Sequence, residues 1–422
     1  MRAARRLRLL QLLQLLRLLR LLRLRSGRVT ARRAEAAKRA EAAKRAKAAK
    51  RAKEKKGGKG TIAVKLIHCS DIHLDAPMDS TLPAEKADLR RRELLETFLS
   101  LIDYAKANGV HAVLIAGDLF DNVRVSATTQ DVVYMAMKEA PDVDFLILPG
   151  NHDAASAATL GHHLSENVKI FGNAWESVRY GKVAISACAP APEHCATFYQ
   201  GLNLDKELTN IVMLHGQLGT LPAPDMIDAT QLRGRGIDYL ALGHIHSYGQ
   251  QKLDARGVAV YSGCLEGRGF DECGEKGFVE LTWENGVLSW EFVPFAHRRF
   301  YSVGVDVSNI DNVSNMLACA CEEARAQEIP ASALVRFELL GSYSVDANKD
   351  IAYLESRLNQ DFFFAKVIDK TTLDLGEVDF TYDQSLRGAF VRTVLASDES
   401  EEEKQRIIQC GLRALRGEDV SL

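Results

Sequence analysis

The feature that most restricts the fold of this chain is a regular alternation of apolar strands with amphipathic helices. Apolar stretches at 64–67, 111–116 and 144–148 are separated by helical periodicity at 85–107 and 126–140. Strands and helices in this order are typical of an α/β protein. Strands that are apolar on both faces indicate a parallel sheet covered on both sides. The predicted fold class is therefore α/β.

A strand-rich region and then a second, smaller alternation follow. Strands are predicted in chain order at 183–187, 210–214, 237–242, 258–261, 277–283 and 287–293. Residues 300–370 alternate again between strands and helices, which predicts a small α+β domain. Helical stretches are predicted at 384–396 and 399–416. Four regions are therefore predicted: a basic extension (1–60), a large α/β domain (61–298), a small α+β domain (299–380) and a helical segment (381–422).

The first sixty residues differ from the rest in charge and in repeats. They hold 22 Lys and Arg against three Glu, whereas the remaining 362 residues hold 32 basic and 53 acidic side chains. Their Leu-rich part is interrupted by Arg17, Arg20 and Arg23, and each such charge costs a membrane span about 2.5–3.5 kcal/mol. A basic helix that touches membrane or nucleic acid and an organelle transit peptide are two interpretations. We favour a third, a low-complexity extension or an upstream start codon translated in error, because short exact repeats resemble repetitive coding sequence.

The eight cysteines indicate a reducing environment. None of them forms a C-x-x-C pair, and several lie in apolar stretches, where Cys behaves as a small hydrophobic residue. A secreted disulfide framework has a shorter chain and a higher density of cysteine. We therefore expect free thiols, a cytoplasmic location and no stable insertion into a membrane.

Side chains that can bind metal follow the predicted strands, at the point where each strand ends. They are, in chain order, Asp71, His73, Asp118, Asn151, His215, His244 and His246, with His152 beside them. Ligands bind beyond the carboxyl ends of strands in open α/β sheets, so we expect these groups to converge. Imidazole with carboxylate suits Mn, Fe or Zn, and this set suffices for two octahedral ions that share one carboxylate. Two ions about 3.5–4 Å apart can clamp a phosphoryl group and hold a bridging hydroxide.

Single histidines at strand ends are more often structural than ligating. The histidines interpreted as structural are His68, His111, His162, His163, His194 and His297. The motifs D-x-H, GD, GNHD, apolar-His and GHIH differ from single residues, because each of them follows a predicted strand. Gly117, Gly150 and Gly243 support this interpretation, since glycine lets the backbone turn sharply before a ligand.

The order of these motifs resembles that of a known family. The segments HCSDIHLD, AGDLFDN, LPGNHD and LGHIHSY are similar to the calcineurin-like metallophosphoesterases, and among them to DNA repair exonucleases of the SbcD and YhaO type. The resemblance covers about residues 64–300. It implies a two-sheet α/β sandwich of the metallophosphoesterase type, with a small α+β capping domain and C-terminal helices.

The resemblance also implies a role for each candidate ligand. The first ion is expected to be held by Asp71, His73 and His246. The second ion is expected to be held by Asn151, His215 and His244, and Asp118 is expected to bridge the two ions. His152 corresponds to a histidine that is not a ligand and that stabilises the transition state or protonates the leaving oxygen. Asp121 and Asp153 are expected to orient imidazoles and loops. The metals of such families are usually manganese, while the ligand set also suits Fe or Zn.

The resemblance implies cutting of DNA by an exonuclease subunit and leaves endonuclease activity open. It also implies two partners, a coiled-coil ATPase of the SbcC type and a second copy of the chain. The acidic body argues against DNA, because DNA affinity comes mostly from Lys and Arg. Basic side chains that could either meet phosphates or form a solvated rim are Arg233, Arg235, Arg268, Arg298 and Arg299.

Two other functions remain as alternatives. One is a phosphoesterase for a nucleotide, a phosphoprotein or a small phosphodiester, and the other is a non-catalytic scaffold, against which the complete ligand set argues. The helices from Phe390 to Leu415 carry an apolar stripe at helical spacing, which fits either a partner or the chain's own core.

Overall fold

The computed structural model describes eight stretches of the chain within a compact unit that begins at Ala63. They are residues 63–78, 82–121, 125–150, 164–189, 197–220, 225–344, 349–374 and 380–415. The basic extension and the predicted site residues Asn151, His152 and Asp153 lie outside the described residues.

The first of two six-stranded sheets contains the predicted alternation. Its strands are β1 (Val64–Cys69), β2 (Ala112–Ala116), β3 (Asp144–Leu148), β4 (Val168–Ile170), β13 (Gly277–Glu284) and β14 (Val287–Pro294). The order across the sheet is β14-β13-β1-β2-β3-β4. Strands β1 to β4 are parallel, and the β13–β14 hairpin joins β1 in antiparallel fashion. Helices α1 (Ala84–Asn108) and α2 (Ala127–Lys138) provide the crossovers that parallel strands require.

The second six-stranded sheet is formed by the strand-rich region that follows. Its strands are β5 (Glu176–Tyr180), β6 (Val183–Ala187), β7 (Thr209–His215), β10 (Tyr239–Gly243), β11 (Gly249–Lys252) and β12 (Val258–Tyr261). The order is β11-β12-β10-β7-β6-β5, with four parallel strands in the middle and an antiparallel strand at each edge.

Shorter elements connect and follow the two sheets. A second group of strands comprises β8 (Gln217–Gly219), β9 (Met226–Asp228), β15 (Phe300–Asp306), β16 (Leu334–Leu340), β17 (Ser342–Ser344), β18 (Phe364–Asp369) and β19 (Thr372–Asp374). The helices that follow α2 in the described chain are α3 (Thr197–Gln200), α4 (Ala229–Leu232), α5 (Val313–Ala326), α6 (Ile351–Asp361), α7 (Leu386–Leu395) and α8 (Glu401–Leu415).

The two sheets pack face to face because their strands are apolar on both sides. In β2, Leu114 points into the core between the sheets, whereas Val113 and Ile115 pack against the helices on the other face. In β7, Met213 points into the same inter-sheet core and Leu214 into a cluster on the outer face. The structure is therefore the two-sheet α/β sandwich expected from the sequence.

Residues after Phe300 form a smaller parallel sheet in the order β15-β16-β18. Its inward side chains, among them Val303, Val335 and Val367, form a separate apolar core with α5 and α6. Phe300 and Phe364 instead pack into the core around α1, so the small sheet packs against the two-sheet sandwich. The predicted domain boundaries remain predictions.

Buried ion pairs tie α1 to the chain that leads into this small sheet. The guanidinium of Arg90 is fully buried and contacts Glu93 at 2.8 Å and Glu266 at 2.6 Å. Arg298 contacts Glu93 at 2.7 Å from the other side. Each buried charge thus has an opposite charge beside it, as a buried ion requires.

The strands missed by sequence reasoning are short or polar. Strand β5 is largely exposed at the edge of its sheet, and β11 has the sequence Gly-Gln-Gln-Lys, so neither shows an apolar pattern. Helix α6 begins at Ile351, because the Asp350 side chain accepts a hydrogen bond from the backbone N–H of Tyr353 and caps the helix.

The apolar stripe of the last two helices packs within the chain. Ile408 and Leu412 of α8 are buried against Val391 and Val394 of α7 and against Phe380. This arrangement is the second of the two interpretations of that stripe. No helix among the described residues is long and apolar enough to cross a membrane.

Candidate metal centre

The loops at the carboxyl ends of β1 and β2 bring the first candidate ligands together. The backbone N–H of Asp71 donates to the carbonyl of Gly117 at 3.0 Å, and that of His73 donates to the carbonyl of Asp118 at 2.9 Å. Asp71, His73 and Asp118 all adopt the left-handed backbone conformation, with φ of 51°, 51° and 54°. Non-glycine residues in this region cost energy, and such residues cluster at functional sites.

Asp71, His73 and His246 form one group of potential ligands. One ligand atom from each lies within 4.8 Å of the other two. Oδ1 of Asp71 is 3.8 Å from Nε2 of His246, and the two imidazoles meet edge to face with their centres 5.2 Å apart. These are the three residues that the family resemblance implied for the first ion.

Asp71, Asp118 and His215 form a second group within the same distance. Oδ2 of Asp118 lies 3.4 Å from Nε2 of His215 and 3.7 Å from Nε2 of His73, so it faces an imidazole of each group. Nε2 of His215 is buried and has no hydrogen-bond partner among the described residues. A divalent cation fits this donor set, because it would bind the free nitrogen together with the carboxylates.

His244 is placed differently from the other predicted ligands. Its ring packs edge to face against that of His215 at 5.5 Å, and it belongs to neither group of three described above. Its backbone N–H donates to both carboxylate oxygens of Asp71, at 2.9 and 3.1 Å. His244 therefore already positions Asp71 through its main chain.

Glycines let the two sheets approach closely at the site. A Cβ on Gly243 would lie 1.9 Å from the carbonyl oxygen of Ala116, and a Cβ on Gly117 would lie 1.9 Å from Nδ1 of His215. Gly117 also has φ of 95°, whereas Gly243 needs only the space. The sequence predicted glycine here for sharp turns, and close packing is the second reason.

Two carboxylates stand behind the imidazoles of the first group. Oδ1 of Asp121, which was expected to orient an imidazole or a loop, lies 3.0 Å from Nδ1 of His73, and Oε1 of Glu272 lies 2.6 Å from Nδ1 of His246. Glu272 was missed, because it follows His246 by 26 residues and only the folded loop brings them together. Arg268 contacts both carboxylates and is no solvated rim residue.

The charges of the site shift several pKa values. Burial disfavours the charged form of His215, but the negatively charged carboxylate of Asp118, 3.4 Å from Nε2, outweighs it and raises the pKa to about 9. Burial lowers the pKa of His73 in spite of Asp121. Burial opposes ionisation of Glu272, yet the contacts with His246 and Arg268 lower its pKa to about 2.

Known proteins are similar to this chain in sequence. Residues 64–248 match the family model for calcineurin-like phosphoesterases. The metallophosphoesterase YhaO of Bacillus subtilis is 30% identical over 270 residues, covering 59% of this chain and 64% of YhaO. The DNA double-strand break repair protein Mre11 of Saccharolobus solfataricus is 26% identical over 216 residues, covering 47% of this chain and 54% of Mre11.

The chain thus spans less than two thirds of the length of these curated relatives. A dimetal phosphatase from Danio rerio is a similar solved structure, with 11% identity, a TM-score of 0.38 and coverage of 54% of this chain and 95% of the phosphatase. Residues 64–248 thus match the family model of calcineurin-like phosphoesterases and contain candidate ligands for two metals, and the chain is homologous to YhaO and Mre11.

Proposed function

We propose that this chain is a phosphodiesterase with two metal ions that hydrolyses DNA as an exonuclease subunit. The observation that carries the chemistry is the placement of Asp118, whose carboxylate faces His73 in one ligand group and His215 in the other. A carboxylate that faces imidazoles of both ligand groups suits a site in which two ions clamp one phosphoryl group. The choice of DNA is supported by the similarity to Mre11, a protein named for repair of double-strand breaks.

We assign the metal-holding residues as the sequence predicted them. They are Asp71, His73, Asp118, Asn151, His215, His244 and His246. Two divalent ions, which we propose to be Mn²⁺, would supply an activated water and neutralise charge on the phosphoryl group.

The side chains around the ions have separate tasks. Asp121 and Glu272 hold the imidazoles of His73 and His246 so that each presents Nε2 to the ligand group. His152 gives a proton or a hydrogen bond to the departing oxygen, which is general acid catalysis. No side chain of the protein needs to form a covalent intermediate in this scheme.

The candidate DNA-binding arginines are engaged within the chain. Arg298 contacts Glu93, Arg299 contacts Glu275, and Arg268 contacts Asp121 and Glu272. Arg233 and Arg235 donate to the backbone carbonyls of Leu253 and Gln231. Because affinity for DNA depends on basic groups that neutralise phosphates, most of the grip must come from elsewhere.

We therefore propose that a coiled-coil ATPase of the SbcC type supplies that grip and that the chain works as a homodimer. The helices α7 and α8 are the proposed docking element for the ATPase. Leu386 and Leu395 of α7 and Leu415 of α8 stay exposed although the inner side of the pair is buried.

Digestion of an end-labelled linear duplex by the full-length chain with Mn²⁺ tests the proposal. We expect shortening of the duplex from its ends by the wild type. His152→Ala should bind Mn²⁺ normally but lose most of its turnover, a loss of about 10²–10⁴-fold. A fully active His152→Ala chain would contradict the role given to that residue.

A second candidate substrate is a small phosphodiester, which the excess of acidic over basic residues after residue 60 favours. An aryl phosphodiester assayed beside the duplex separates the two. Hydrolysis of the aryl substrate without any cutting of DNA, even with the ATPase partner present, would replace DNA by a small molecule.

A further inference from the structure

Arg268 lies between two carboxylates behind the metal centre. Its Nη1 is 3.1 Å from Oδ1 of Asp121, and its Nη2 is 3.0 Å from Oε1 of Glu272. Asp121 in turn contacts Nδ1 of His73, and Glu272 contacts Nδ1 of His246. One guanidinium thus joins the supports of two imidazoles.

Both imidazoles belong to the same ligand group, the one completed by Asp71. A neutral imidazole has one N–H and one free electron pair, so the partner of Nδ1 decides whether Nε2 can bind a metal. When Nδ1–H donates to a carboxylate, Nε2 keeps its electron pair and points at the ligand group. Asp121 and Glu272 therefore select the tautomer that binds a cation.

Arg268 by itself would select the wrong tautomer of His246. Its Nη2 also lies 3.1 Å from Nδ1 of His246. An Arg N–H that donated to Nδ1 would leave the proton of the imidazole on Nε2 and block the metal. Oε1 of Glu272, at 2.6 Å, is closer and accepts from both the imidazole and the guanidinium.

The loop around Arg268 is built to keep this geometry. The backbone N–H of Arg268 donates to Oε2 of Glu272 at 2.7 Å, so the carboxylate is held at both oxygens. Nζ of the buried Lys276 donates to the carbonyl of His246 at 2.6 Å. The main chain of His246 is therefore held by the same loop that holds its ring.

The second ligand group has a different support. Nδ1 of His215 lies 2.9 Å from the backbone carbonyl of Ala116, which a side-chain substitution at Arg268 does not remove. The imidazoles of the two groups are thus supported by different parts of the chain, although both groups contain Asp71.

We propose that Arg268 is a positioning residue that sets the affinity of the first cation site, and not of the second, by holding Asp121 and Glu272 against His73 and His246. The proposal rests on the two-ion site of the proposed function. It adds that the two ions are not equivalent, since one depends on a side-chain ion pair and the other on a backbone carbonyl.

Mn²⁺ titration of the full-length chain by calorimetry tests this, with wild type, Arg268→Gln and Arg268→Lys. We expect Arg268→Gln to weaken one of the two Mn²⁺ ions by about 10–100-fold, the range found for supports of metal ligands. The other ion should keep its affinity within about threefold. Arg268→Lys should recover part of the loss, because an ammonium keeps the charge but not the two-pronged contact.

Arg256→Gln is the matched control. Arg256 also makes a two-pronged contact with a carboxylate, at 2.8 and 2.7 Å from Asp238, but away from the ligand groups. Its loss should leave both Mn²⁺ affinities unchanged. Equal weakening of both ions by Arg268→Gln, no weakening, or the same effect in the control would overturn the proposal.

A second measurement reads the tautomers without any metal. Ring-nitrogen NMR of the metal-free chain should show the proton of His73 and of His246 on Nδ1. Glu272→Gln should shift the ring-nitrogen signal of His246 and leave that of His215 unchanged. This variant provides a test even if Arg268→Gln fails to fold. An unchanged His246 signal would contradict the proposal. Binding of fewer than two Mn²⁺ by the wild type would instead contradict the proposed function.

Discussion

The two sheets of the sandwich contribute different chemistry to one site. The first sheet supplies Asp71 and Asp118, both with left-handed backbone held by hydrogen bonds between neighbouring loops. The second sheet supplies His215 and His246, whose rings are held by acceptors on their far side. The carboxylates are thus placed mainly by the main chain, and the imidazoles by what stands behind them.

This difference teaches where the site is sensitive to change. A carboxylate at the end of a strained loop depends on the packing of its own sheet. An imidazole that reaches across depends on the contact between the sheets and on a partner at Nδ1. The following predictions test that division, beginning with the largest effect.

Asp118→Asn should have the largest effect, because the Asp118 carboxylate faces imidazoles from both sheets. The amide keeps the shape but removes the charge that binds a cation. We expect the affinity for each of the two Mn²⁺ ions to fall by more than about 100-fold, which is the upper range for residues that only support a metal ligand. Mn²⁺ calorimetry checks this, with the exposed Asp103→Asn as control. Loss of only one ion would show that Asp118 belongs to one sheet's ligands alone.

Gly243→Ala should come next, because the added Cβ would lie 1.9 Å from the carbonyl oxygen of Ala116 on the other sheet. Forcing the sheets apart should lower the free energy of unfolding by about 3 kcal/mol. The control is Gly249→Ala, where no atom lies within 4 Å of the new Cβ and the expected change is within about 0.5 kcal/mol. Urea unfolding of both chains decides, and equal stabilities would mean that the sheets can separate freely here.

Metal binding should hold the sheets together. Mn²⁺ at about 100 times its dissociation constant should raise the free energy of unfolding by about 2.7 kcal/mol, and a chelator should remove that gain. Thermal unfolding with Mn²⁺ and with chelator measures the effect. Asp118→Asn should show almost no shift, and a full shift in that variant would place the stabilising ion elsewhere.

Ser70→Ala should have the smallest effect. The buried hydroxyl of Ser70 donates to Oδ2 of Asp71 at 2.5 Å. It also lies 2.8 Å from the hydroxyl of Ser262, the residue that follows β12 of the second sheet. Its loss should cost about 1 kcal/mol of stability and weaken Mn²⁺ binding by less than tenfold, because the N–H of His244 still holds Asp71. A larger loss would give Ser70 a greater share in placing Asp71 than the main chain has.

Much of this site can be predicted from the sequence, and the reason is local. Each of the described ligands lies at the end of an apolar strand or within four residues of it, and parallel strands place their carboxyl ends along one edge. These ligands are Asp71, His73, Asp118, His215 and His246. The strands at 144–148, 183–187 and 258–261 have the predicted bounds, since each is mostly apolar.

The remainder depends on long-range contacts. Glu272 and Arg268 contact His246 because of the conformation of a loop, which hydrophobic periodicity in the sequence does not predict. The same residue types are also common on solvated surfaces. Strand β11 is defined by pairing with β12 and not by its own composition. The left-handed backbone of Asp71 and Asp118 is likewise imposed by neighbouring loops.

The position of β1 in its sheet has a consequence for the order of folding. On one side β1 pairs with β2, which is near in sequence, but on the other Val64 pairs with Trp283 of β13. Contacts across such a separation are slow to form, because a long loop must close first. During synthesis the edge of β1 therefore stays open until β13 has left the ribosome. We expect the ability to bind metal to appear only then, late in the life of the nascent chain.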